Sequence, residues 1–310
     1  MNWYRVRLKL KSWFATPWQA DTIFGHLCWG MRYLYDADCL RDFLNEYVSG
    51  RPPLLLSNGF PAGFLPHPLI NRRSGEAALS LSAQKDEYEK RKQAKSRQYV
   101  LLQDFNEIIQ GGLLEINGKY PYPILEKRTS LKNQLNRLTA TTGENGNLFN
   151  FEEYYIPEIE IYLKCRDDFV YTTEELFDYL AQSGYGKRKS IGYGQIKSLS
   201  FESFSGFKAP ESPAGFVTLS NFVPSENDPV RGNWQVMVKY GKMGEEYAAE
   251  SHAFKHPLLM LEAGSVFLDS PVREYYGCMI KHVSPGYPEA VQYAFALPVP
   301  CVLPQNQSLD

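Results

Sequence analysis

The stretch SGYGKRKSIGYGQI constrains the fold most, because it must form a tight basic loop between two regular elements. The residues before it, TTEELFDYLAQSG, have the pattern of a helix that Thr172 or Thr173 caps. The residues after it, QIKSLSFESF, have the pattern of a strand. Because glycine permits a positive φ and the close approach of another backbone, the two Gly-Tyr-Gly triplets predict a sharply folded helix-to-strand connection.

The chemistry of this loop suits an anion, most often a phosphate. Three consecutive cations, Lys187, Arg188 and Lys189, lie among backbone N–H groups that glycine leaves accessible. The known mononucleotide phosphate loops follow a strand and open a helix, whereas this loop follows a helix. The N-terminus of that helix points away from a bound phosphate, so we expect no mononucleotide site here.

The composition indicates a folded chain of the reducing cytosol, without a cofactor. At 310 residues, with 44% hydrophobic and 22% charged residues, the chain is expected to form two domains. Its five cysteines form no C-x-x-C pair, which suits free thiols in a reducing compartment. The sequence has no run of eighteen apolar residues, so we expect no membrane span. The N-terminal residues do not have the pattern of a signal peptide. The net charge of −2 argues against a general nucleic-acid binder, so any anion site must be local.

The segment NWYRVRLKLK alternates as a half-buried strand does. One face carries the apolar residues that predict the core side, namely Tyr4, Val6, Leu8 and Leu10. The other face carries a tryptophan and cations, namely Trp3, Arg5, Arg7 and Lys9. A solvated strand face is the simplest interpretation of this second set, but its single sign of charge and its tryptophan argue against it.

A helix is predicted over TIFGHLCWGMRYLY, with Asp21 or Thr22 as its cap. One side carries the apolar stripe Ile23, Phe24, Leu27, Met31, Leu34 and Tyr35. The opposite side carries His26, Trp29 and Tyr33 beside Gly30. Two apolar or aromatic sides predict that both are covered, the first by the sheet of the same domain. For the second side we expect a functional contact, with RNA or a partner, rather than packing alone.

The middle of the chain is irregular. The stretch RPPLLLSNGFPAGFLPHPLI is expected to be a loop with short extended pieces, because it is rich in proline and glycine. The stretch AQKDEYEKRKQAKSRQYVLLQDFNEII has the propensity of a basic, solvated helix. Further on, NRLTATTGENGNLFNFEEYY predicts a polar hairpin or loop. Behind it, EIEIYLK predicts a strand whose inward residues are Ile159, Ile161 and Leu163.

These elements give residues 1–205 the order β-α-β-β-α-β, which is the ferredoxin-like pattern of an α+β domain. An insertion at about residues 51–155 interrupts that order. The stretch FKAPESPAG then indicates a connector, and residues 206–310 contain four strand-like stretches. The C-terminal part is therefore expected to be a second, smaller α+β unit.

Four stretches together resemble one protein family. The spacing Gly-Tyr-Gly-x5-Gly-Tyr-Gly, between the second helix and last strand of a ferredoxin-like domain, is similar to the glycine-rich loop of the RAMP superfamily of CRISPR proteins. TPWQADTIFGHLCWGMRYLY and NQLNRLTATTGENGNLFNFEEYY resemble the first helix and the thumb of a type III-A (Csm) effector subunit family. FKHPLLMLEAGSVF, with VQYAFALPVPC, is similar to the C-terminal half of that family. Residues 51–122 have little counterpart, so their role stays open.

The resemblance implies a non-catalytic RNA-binding scaffold for antiviral defence. In that family, two tandem ferredoxin-like (RRM-like) domains with a glycine-rich loop and a thumb-like insertion hold the 5′ repeat-derived tag of the crRNA. The subunit caps one end of the filament beside a RAMP backbone subunit and docks on the large polymerase-palm subunit. The resemblance also implies that residues 206–310 form a C-terminal ferredoxin-like domain.

Carried onto this sequence, the resemblance implies a set of RNA-binding residues. The glycines would shape the loop, its cations and Ser190 would meet phosphates, and the thumb would contact the guide. Tyr185 and Tyr193 bracket the basic pentapeptide, so their rings could stack on splayed bases. The alternative is that these rings pack inward as part of the core. The candidate residues are Gly184, Tyr185, Gly186, Lys187, Arg188, Lys189, Ser190, Gly192, Tyr193, Gly194, Asn133, Asn136, Arg137, Thr139 and His26.

Two other functions remain open at the level of sequence. A metal-independent RAMP endoribonuclease that processes precursor crRNA would need a general base, for which His26 is the candidate. A protein–protein adaptor without RNA contacts would suit the aromatic helix face but not the basic glycine loop. His252 and His256 lie four residues apart, yet Pro257 follows and no third ligand is near, so we expect no metal site.

Overall fold

The computed structural model describes residues 1–70, 97–112, 121–133, 139, 141–142, 148–250 and 252–303. The fold is α+β. Its α-helices are α1 (Ala20–Leu34), α2 (Ala37–Val48), α3 (Leu102–Ile109) and α4 (Val170–Ser183). The strands up to residue 203 are β1 (Asn2–Leu10), β2 (Leu54–Pro61), β3 (Phe64–Pro66), β4 (Tyr99–Leu101), β5 (Glu126–Asn133), β6 (Leu148–Tyr155), β7 (Glu158–Cys165) and β8 (Ile196–Ser203).

The strands after residue 203 are β9 (Gly215–Thr218), β10 (Gly232–Asn233), β11 (Val236–Lys239), β12 (Leu258–Leu261), β13 (Val266–Leu268), β14 (Tyr276–Ile280), β15 (Gln292–Ala296) and β16 (Pro298–Cys301). Short 3-10 turns lie at Asp167–Phe169, Lys189–Ile191 and Glu245–Ala249. Within the described ranges, no helix combines the length and the apolar character that a membrane crossing would require.

The main sheet has the strand order β2-β7-β1-β8, and all its neighbouring strands are antiparallel. The alternation of β1 is confirmed, because Val6, Leu8 and Leu10 are buried while Tyr4 is partly covered. The inward residues predicted for β7 are confirmed as well, since Ile159, Ile161 and Leu163 are fully buried. The strands and helices of the predicted order are present in the N-terminal half, together with helix α2, which the sequence did not predict.

The cations on the outer face of β1 are paired with carboxylates that the neighbouring strands supply. Arg5 contacts Glu160 of β7 and Glu202 of β8, and Arg7 contacts Glu158 and Glu160. Burial raises the pKa of Glu160, but the hydrogen bonds that it accepts outweigh this effect and hold the pKa below its ordinary value. The single sign of charge on β1 thus reflects complementary strands rather than a free basic surface.

Both helix caps predicted from the sequence are wrong. Helix α1 begins at Ala20, and its N-cap Gln19 makes no capping side-chain bond. Asp21 is instead buried and pairs with Lys239 at 2.9 Å. Helix α4 continues from a 3-10 turn and begins at Val170, so Thr173 lies inside the helix. Tertiary contacts and a preceding turn have replaced the local caps.

The second side of α1 is covered by the same chain. A Cβ added to Gly30 would lie 3.0 Å from Tyr179 of α4, so the two helices cross closely there. The ring of Trp29 lies 5.6 Å from Tyr33 and 6.0 Å from Tyr247 in the C-terminal half. Packing, rather than the functional contact that we expected, therefore accounts for Trp29 and Gly30, while Tyr33 stays 47% exposed.

The end of α1 departs from the predicted stripe. Leu34 and Tyr35 are 49% and 41% exposed, although both were expected in the core. Leu34 is the last residue of the helix and Tyr35 has left the helical conformation. The chain turns there into α2, so the apolar periodicity no longer points to the sheet.

The stretch expected to be a loop forms the edge strand β2, whose Leu54, Leu55 and Leu56 are fully buried. An edge strand tolerates proline and glycine, and the pairing of β2 with β7 is irregular between Leu56 and Gly59. The long basic helix is confirmed only over α3. Tyr99–Leu101 are a strand, and residues 71–96 lie outside the described residues.

The predicted strands of the C-terminal part are present as β9, β11, β12, β13, β15 and β16. One sheet has the order β10-β13-β9-β16, and β11-β12 and β14-β15 form two-stranded pairs. Residues 206–250 and 252–303 contain no α-helix, whereas a ferredoxin-like domain requires two. The predicted second ferredoxin-like domain is therefore not confirmed.

One hydrophobic core joins the two halves of the chain. The ring of Tyr293 on β15 lies 4.7 Å from Phe24 of α1 and 6.0 Å from Tyr47 of α2. The N–H of Leu56 donates a hydrogen bond of 3.0 Å to the Tyr293 hydroxyl. This shared core fixes the C-terminal strands against α1, beside the glycine loop.

Candidate nucleic-acid interface

The glycine loop, residues 184–194, is folded as tightly as its sequence predicts. All four of its glycines have a positive φ. The loop is closed by the N–H of Tyr185, which donates to the carbonyl of Gly194 at 2.9 Å. A Cβ on Gly194 would lie 2.0 Å from the carbonyl oxygen of Tyr185, so only glycine fits this closure. Gly192, in contrast, is exposed and has no atom within 4 Å of an added Cβ.

His26 supports the loop from beneath. Its Nε2 accepts a hydrogen bond of 3.0 Å from the N–H of Gly186, and its Nδ1 is buried without a hydrogen-bond partner among the described residues. Burial, with a smaller contribution from the nearby charge of Lys189, lowers the pKa of His26 to about 4. Nε2 is thus engaged with the loop and Nδ1 is buried, so in this arrangement His26 supports the loop, and its contact with RNA stays a prediction.

Tyr185 faces the core rather than solvent. Its side chain is fully buried, and its ring stacks on Trp18 with centroids 3.7 Å apart. Its hydroxyl donates to the carbonyl of Pro17 at 2.7 Å. The prediction that Tyr185 offers its ring to a splayed base is therefore wrong, because the glycines on both sides turn the ring inward.

The three cations of the loop lie in three different environments. Lys187 is exposed and forms no ion pair within the described residues. The guanidinium of Arg188 lies 4.2 Å from the ring centroid of Phe151. Lys189 pairs with Glu245 of the C-terminal half. Lys189 is thus engaged in a structural ion pair, while Lys187 is the cation most open to a phosphate, next to the exposed Ser190.

The polar hairpin or loop predicted over residues 136–155 is part of a hairpin. Its second strand, β6, lies in that stretch, whereas its first strand, β5, precedes it. Strands β5 and β6 pair over eight residues, from Glu126 opposite Tyr155 to Asn133 opposite Leu148. Asn133 is exposed at the end of β5, and the exposed Thr139 shares a hydrogen bond of 2.8 Å with Thr141. The other two thumb candidates, Asn136 and Arg137, lie outside the described residues.

The structure brings the hairpin and the glycine loop together, although residues 156–183 separate them in sequence. Tyr193 of the loop is partly buried, and its hydroxyl donates to Glu153 of β6 at 3.0 Å. The same ring meets Phe151 edge-on, with centroids 5.7 Å apart. Arg188 lies over the ring of Phe151 as well, so two residues of the loop contact the same residue of the hairpin.

A basic and aromatic surface results at this junction, and sequence reasoning missed most of it. Arg128 lies over the ring of Trp13 at 4.3 Å, and Lys132 lies 5.0 Å from the centroid of Phe151. Arg128 and Lys132 are four residues apart in β5, and Phe151 and Glu153 are two apart in β6, so each pair shares one face of its strand. The alternation within each strand indicates which residues share a face, but not that the two pairs meet each other and the glycine loop.

Comparison with known proteins supports the fold. No protein-family model and no curated protein matches the chain. Among solved structures, a chain of the crystal structure of the Csm1–Csm4 cassette in complex with pppApA is 18% identical, with a TM-score of 0.67. The match covers 99% of this chain and 100% of that chain. The cassette in complex with AMPPNP gives 18% identity, the same coverage and a TM-score of 0.66.

A chain of the Csm3–Csm4 subcomplex in the type III-A CRISPR-Cas interference complex is 11% identical, with a TM-score of 0.60. Here the match covers 94% of this chain and 99% of that chain. Csm4 is the subunit that these structures have in common. At such identities the likeness concerns the fold, and it extends along nearly the whole chain. The resemblance inferred from the sequence is therefore confirmed at the level of the fold.

Proposed function

We propose that this chain is an RNA-binding scaffold subunit of a type III-A CRISPR-Cas (Csm) interference complex and holds the 5′ repeat-derived tag of the crRNA. The observation that carries the proposal is the whole-length likeness to chains of the Csm1–Csm4 and Csm3–Csm4 structures. Two features of this chain's own geometry support it. The basic glycine loop and the hairpin lie against each other, and the exposed Lys187 of the loop is available to a phosphate.

Single-stranded RNA held by its backbone needs cations, accessible backbone and aromatic faces close together. Lys187 supplies the open cation, and Gly192 leaves room for a ribose or phosphate to approach the main chain. The exposed Asn133 and Thr139 of the hairpin offer hydrogen-bonding groups for the guide. In this proposal, the loop contacts the backbone of the tag and the hairpin contacts the following nucleotides.

We favour a scaffold over a nuclease because of the state of His26. A general base for 2′-hydroxyl attack needs a nitrogen within reach of the substrate and a pKa near the working pH. The Nε2 atom of His26 is engaged with Gly186, Nδ1 is buried, and the pKa is about 4. This histidine is therefore poorly suited to the role that the processing enzyme would require.

The partners in this proposal follow from the same likeness. The solved neighbours are assemblies with Csm1 or Csm3. We therefore propose that this chain docks on a large polymerase-palm subunit and on an adjacent RAMP backbone subunit, together with the crRNA.

The proposal is tested by the salt dependence of guide binding. Lys187→Ala should weaken binding of a synthetic guide that carries the host's repeat tag. It should also lower the slope of log affinity against log salt by about 0.7, the value for one phosphate contact on a single strand. Lys281→Ala, which removes an exposed cation of the C-terminal half, is the matched control and should leave the slope unchanged. Equal slopes for both variants would contradict the role of the loop.

A cleavage assay separates the scaffold from the processing enzyme. The purified chain, incubated with precursor repeat RNA, should leave the RNA intact with and without divalent metal. Cutting at a defined position that disappears in His26→Ala would instead establish the nuclease.

A further inference from the structure

Glu153 lies at the junction between the hairpin and the glycine loop. Its side chain is 1% exposed, and its two oxygens face different segments. Oε2 accepts hydrogen bonds from Arg128 of β5, at 2.6 Å from Nε and 2.5 Å from Nη2. Oε1 accepts from the hydroxyl of Tyr193 at 3.0 Å, and Nζ of Lys132 lies 3.5 Å from the same oxygen. One carboxylate therefore joins both hairpin strands to the loop.

A carboxylate in such a position requires its donors. Taking a charge out of water is costly unless the charge is paired and hydrogen-bonded. Burial raises the pKa of Glu153, but the hydrogen bonds from Arg128 and Tyr193 outweigh it and hold the pKa below its ordinary value. The side chain is thus ionised at neutral pH. A movement of the loop away from the hairpin would remove the hydroxyl of Tyr193 from Oε1 and leave the more distant hydroxyl of Ser130, at 3.4 Å, as the remaining hydroxyl donor.

We infer that Glu153 is a positioning residue, which holds the glycine loop and the hairpin in one fixed arrangement before RNA binds. This inference rests on the proposed function, because the two segments are the proposed contacts for the tag. A preformed arrangement matters since the apparent affinity falls by the fraction of molecules that are competent to bind. With Glu153 in place, the open Lys187 and the hairpin residue Asn133 are presented together to one RNA strand.

The attachment of the hairpin to the rest of the fold does not depend on Glu153. The backbones of Phe14 and Tyr154 exchange two hydrogen bonds of 2.9 Å, and Trp13 packs against Tyr155 at 5.7 Å. These contacts are made by the chain that precedes α1, not by the glycine loop. The glycine loop is bonded to the same segment, since the N–H of Gly194 donates to the carbonyl of Trp13 at 2.8 Å. Losing Glu153 should therefore loosen the part of the loop around Tyr193 without releasing the hairpin.

The adjacent glutamate provides a matched control. Glu152 is 50% exposed and pairs with Lys127 on the opposite face of the hairpin. Glu153→Gln and Glu152→Gln each remove one negative charge from the same strand, so their general electrostatic effects on RNA binding are alike. Glutamine keeps the shape of the side chain but is neutral and has one acceptor oxygen. With that oxygen on Arg128, the NH2 group faces Tyr193 and Lys132, so the charge-assisted hydrogen bond from Tyr193 and the attraction to Lys132 are both lost.

With the full-length chain and the synthetic tagged guide, Glu153→Gln should weaken binding about tenfold, as expected if the competent fraction falls to about a tenth. The salt slope should not change, since the phosphate contacts of the bound state are the same. Tyr193→Phe should give a similar loss, and the double variant should be no weaker than either single variant. Glu152→Gln should not weaken binding.

Hydrogen exchange of the chain without RNA tests the positioning itself. The loop amides of Tyr193 and Gly194 should exchange faster in Glu153→Gln than in wild type, and should be unchanged in Glu152→Gln. Unchanged loop exchange in Glu153→Gln, or RNA affinity equal to that of Glu152→Gln, would overturn the inference while the proposed function stands. Failure of the wild-type chain to bind any tagged guide would instead overturn the proposed function, and with it the role of the loop and the hairpin in RNA binding.

Discussion

Lowering the pH should destabilise the fold through His26, in a way that the structure allows us to calculate. The neutral ring accepts the N–H of Gly186 through Nε2. A protonated ring could not accept this hydrogen bond and would carry a positive charge near Lys189. Burial and that lysine therefore lower the pKa from 6.5 to about 4 in the folded chain.

The sign of the effect follows from proton uptake. Above pH 6.5, His26 is neutral in both states and its full contribution to stability is present. Between pH 6.5 and about 4 the unfolded chain takes up a proton that the folded chain does not, so stability falls as the pH falls. At 1.36 kcal/mol per pKa unit, the complete loss is about 3 kcal/mol, of which about 2 kcal/mol is expected between pH 7 and pH 5.

Denaturant unfolding at a series of pH values measures this loss. Carboxylates also titrate in this range, so the informative quantity is the difference between wild type and His26→Gln at each pH. That variant lacks the titrating group but retains a side-chain acceptor for Gly186. The stability gap should shrink, or reverse in favour of the variant, by about 2 kcal/mol as the pH falls from 7 to 5. Parallel curves over this range would refute the argument that a buried neutral His26 supports the loop.

Three further substitutions test the packing around the loop and between the halves. Gly194→Ala should destabilise the chain clearly more than Gly192→Ala. Both positions have a positive φ, which strains alanine by about 1–2 kcal/mol, but only at Gly194 does the added Cβ clash with the carbonyl of Tyr185. Equal melting temperatures would contradict this closure of the loop. Trp29→Ala should reduce the free energy of unfolding of the isolated chain by about half the 3–5 kcal/mol typical of a core tryptophan, since the ring is only partly buried. The melting temperature should fall accordingly, and an unchanged value would restore the partner-contact interpretation. Asp21→Ala leaves the partly buried Lys239 with only the neutral acceptors Gln19 and Thr22, and should cost about 3 kcal/mol in denaturant unfolding. A loss below about 1 kcal/mol would show that this ion pair does not hold the halves together.

The sequence predicted those features that depend on local pattern. Alternation in β1 and β7 identified the residues that face the core, and the triplets of the loop identified four positions with positive φ. The polar stretch before Tyr155 identified part of the hairpin. Each of these features is set by steric limits or by periodicity within a short window, so the sequence alone carries the information.

The failures share a different cause, which is a contact with a distant part of the chain. Asp21 has the chemistry of a helix cap, but Lys239 competes for its carboxylate. Tyr185 and Tyr193 occupy equivalent places in their triplets, yet Trp18 draws one ring into the core and Glu153 holds the other at the hairpin. No local pattern distinguishes such residues, because the partner appears only when the chain has folded.

The loop cations illustrate the same limit at the candidate site. Lys187 and Lys189 are indistinguishable in the sequence, and only the fold places Glu245 beside the second of them. The junction of loop and hairpin could not be predicted either, since Arg128 and Glu153 lie in strands whose register is set by the pairing of β5 with β6.

The most direct test of the central claim is to purify this chain from its native host by an affinity label and to sequence the 5′ ends of the RNA that accompanies it. We expect the chain to be recovered with a large polymerase-palm subunit and with guide RNAs that share one repeat-derived 5′ tag. Recovery of that subunit without RNA, or of RNAs without a common 5′ end, would contradict the claim that this chain holds the tag of the crRNA.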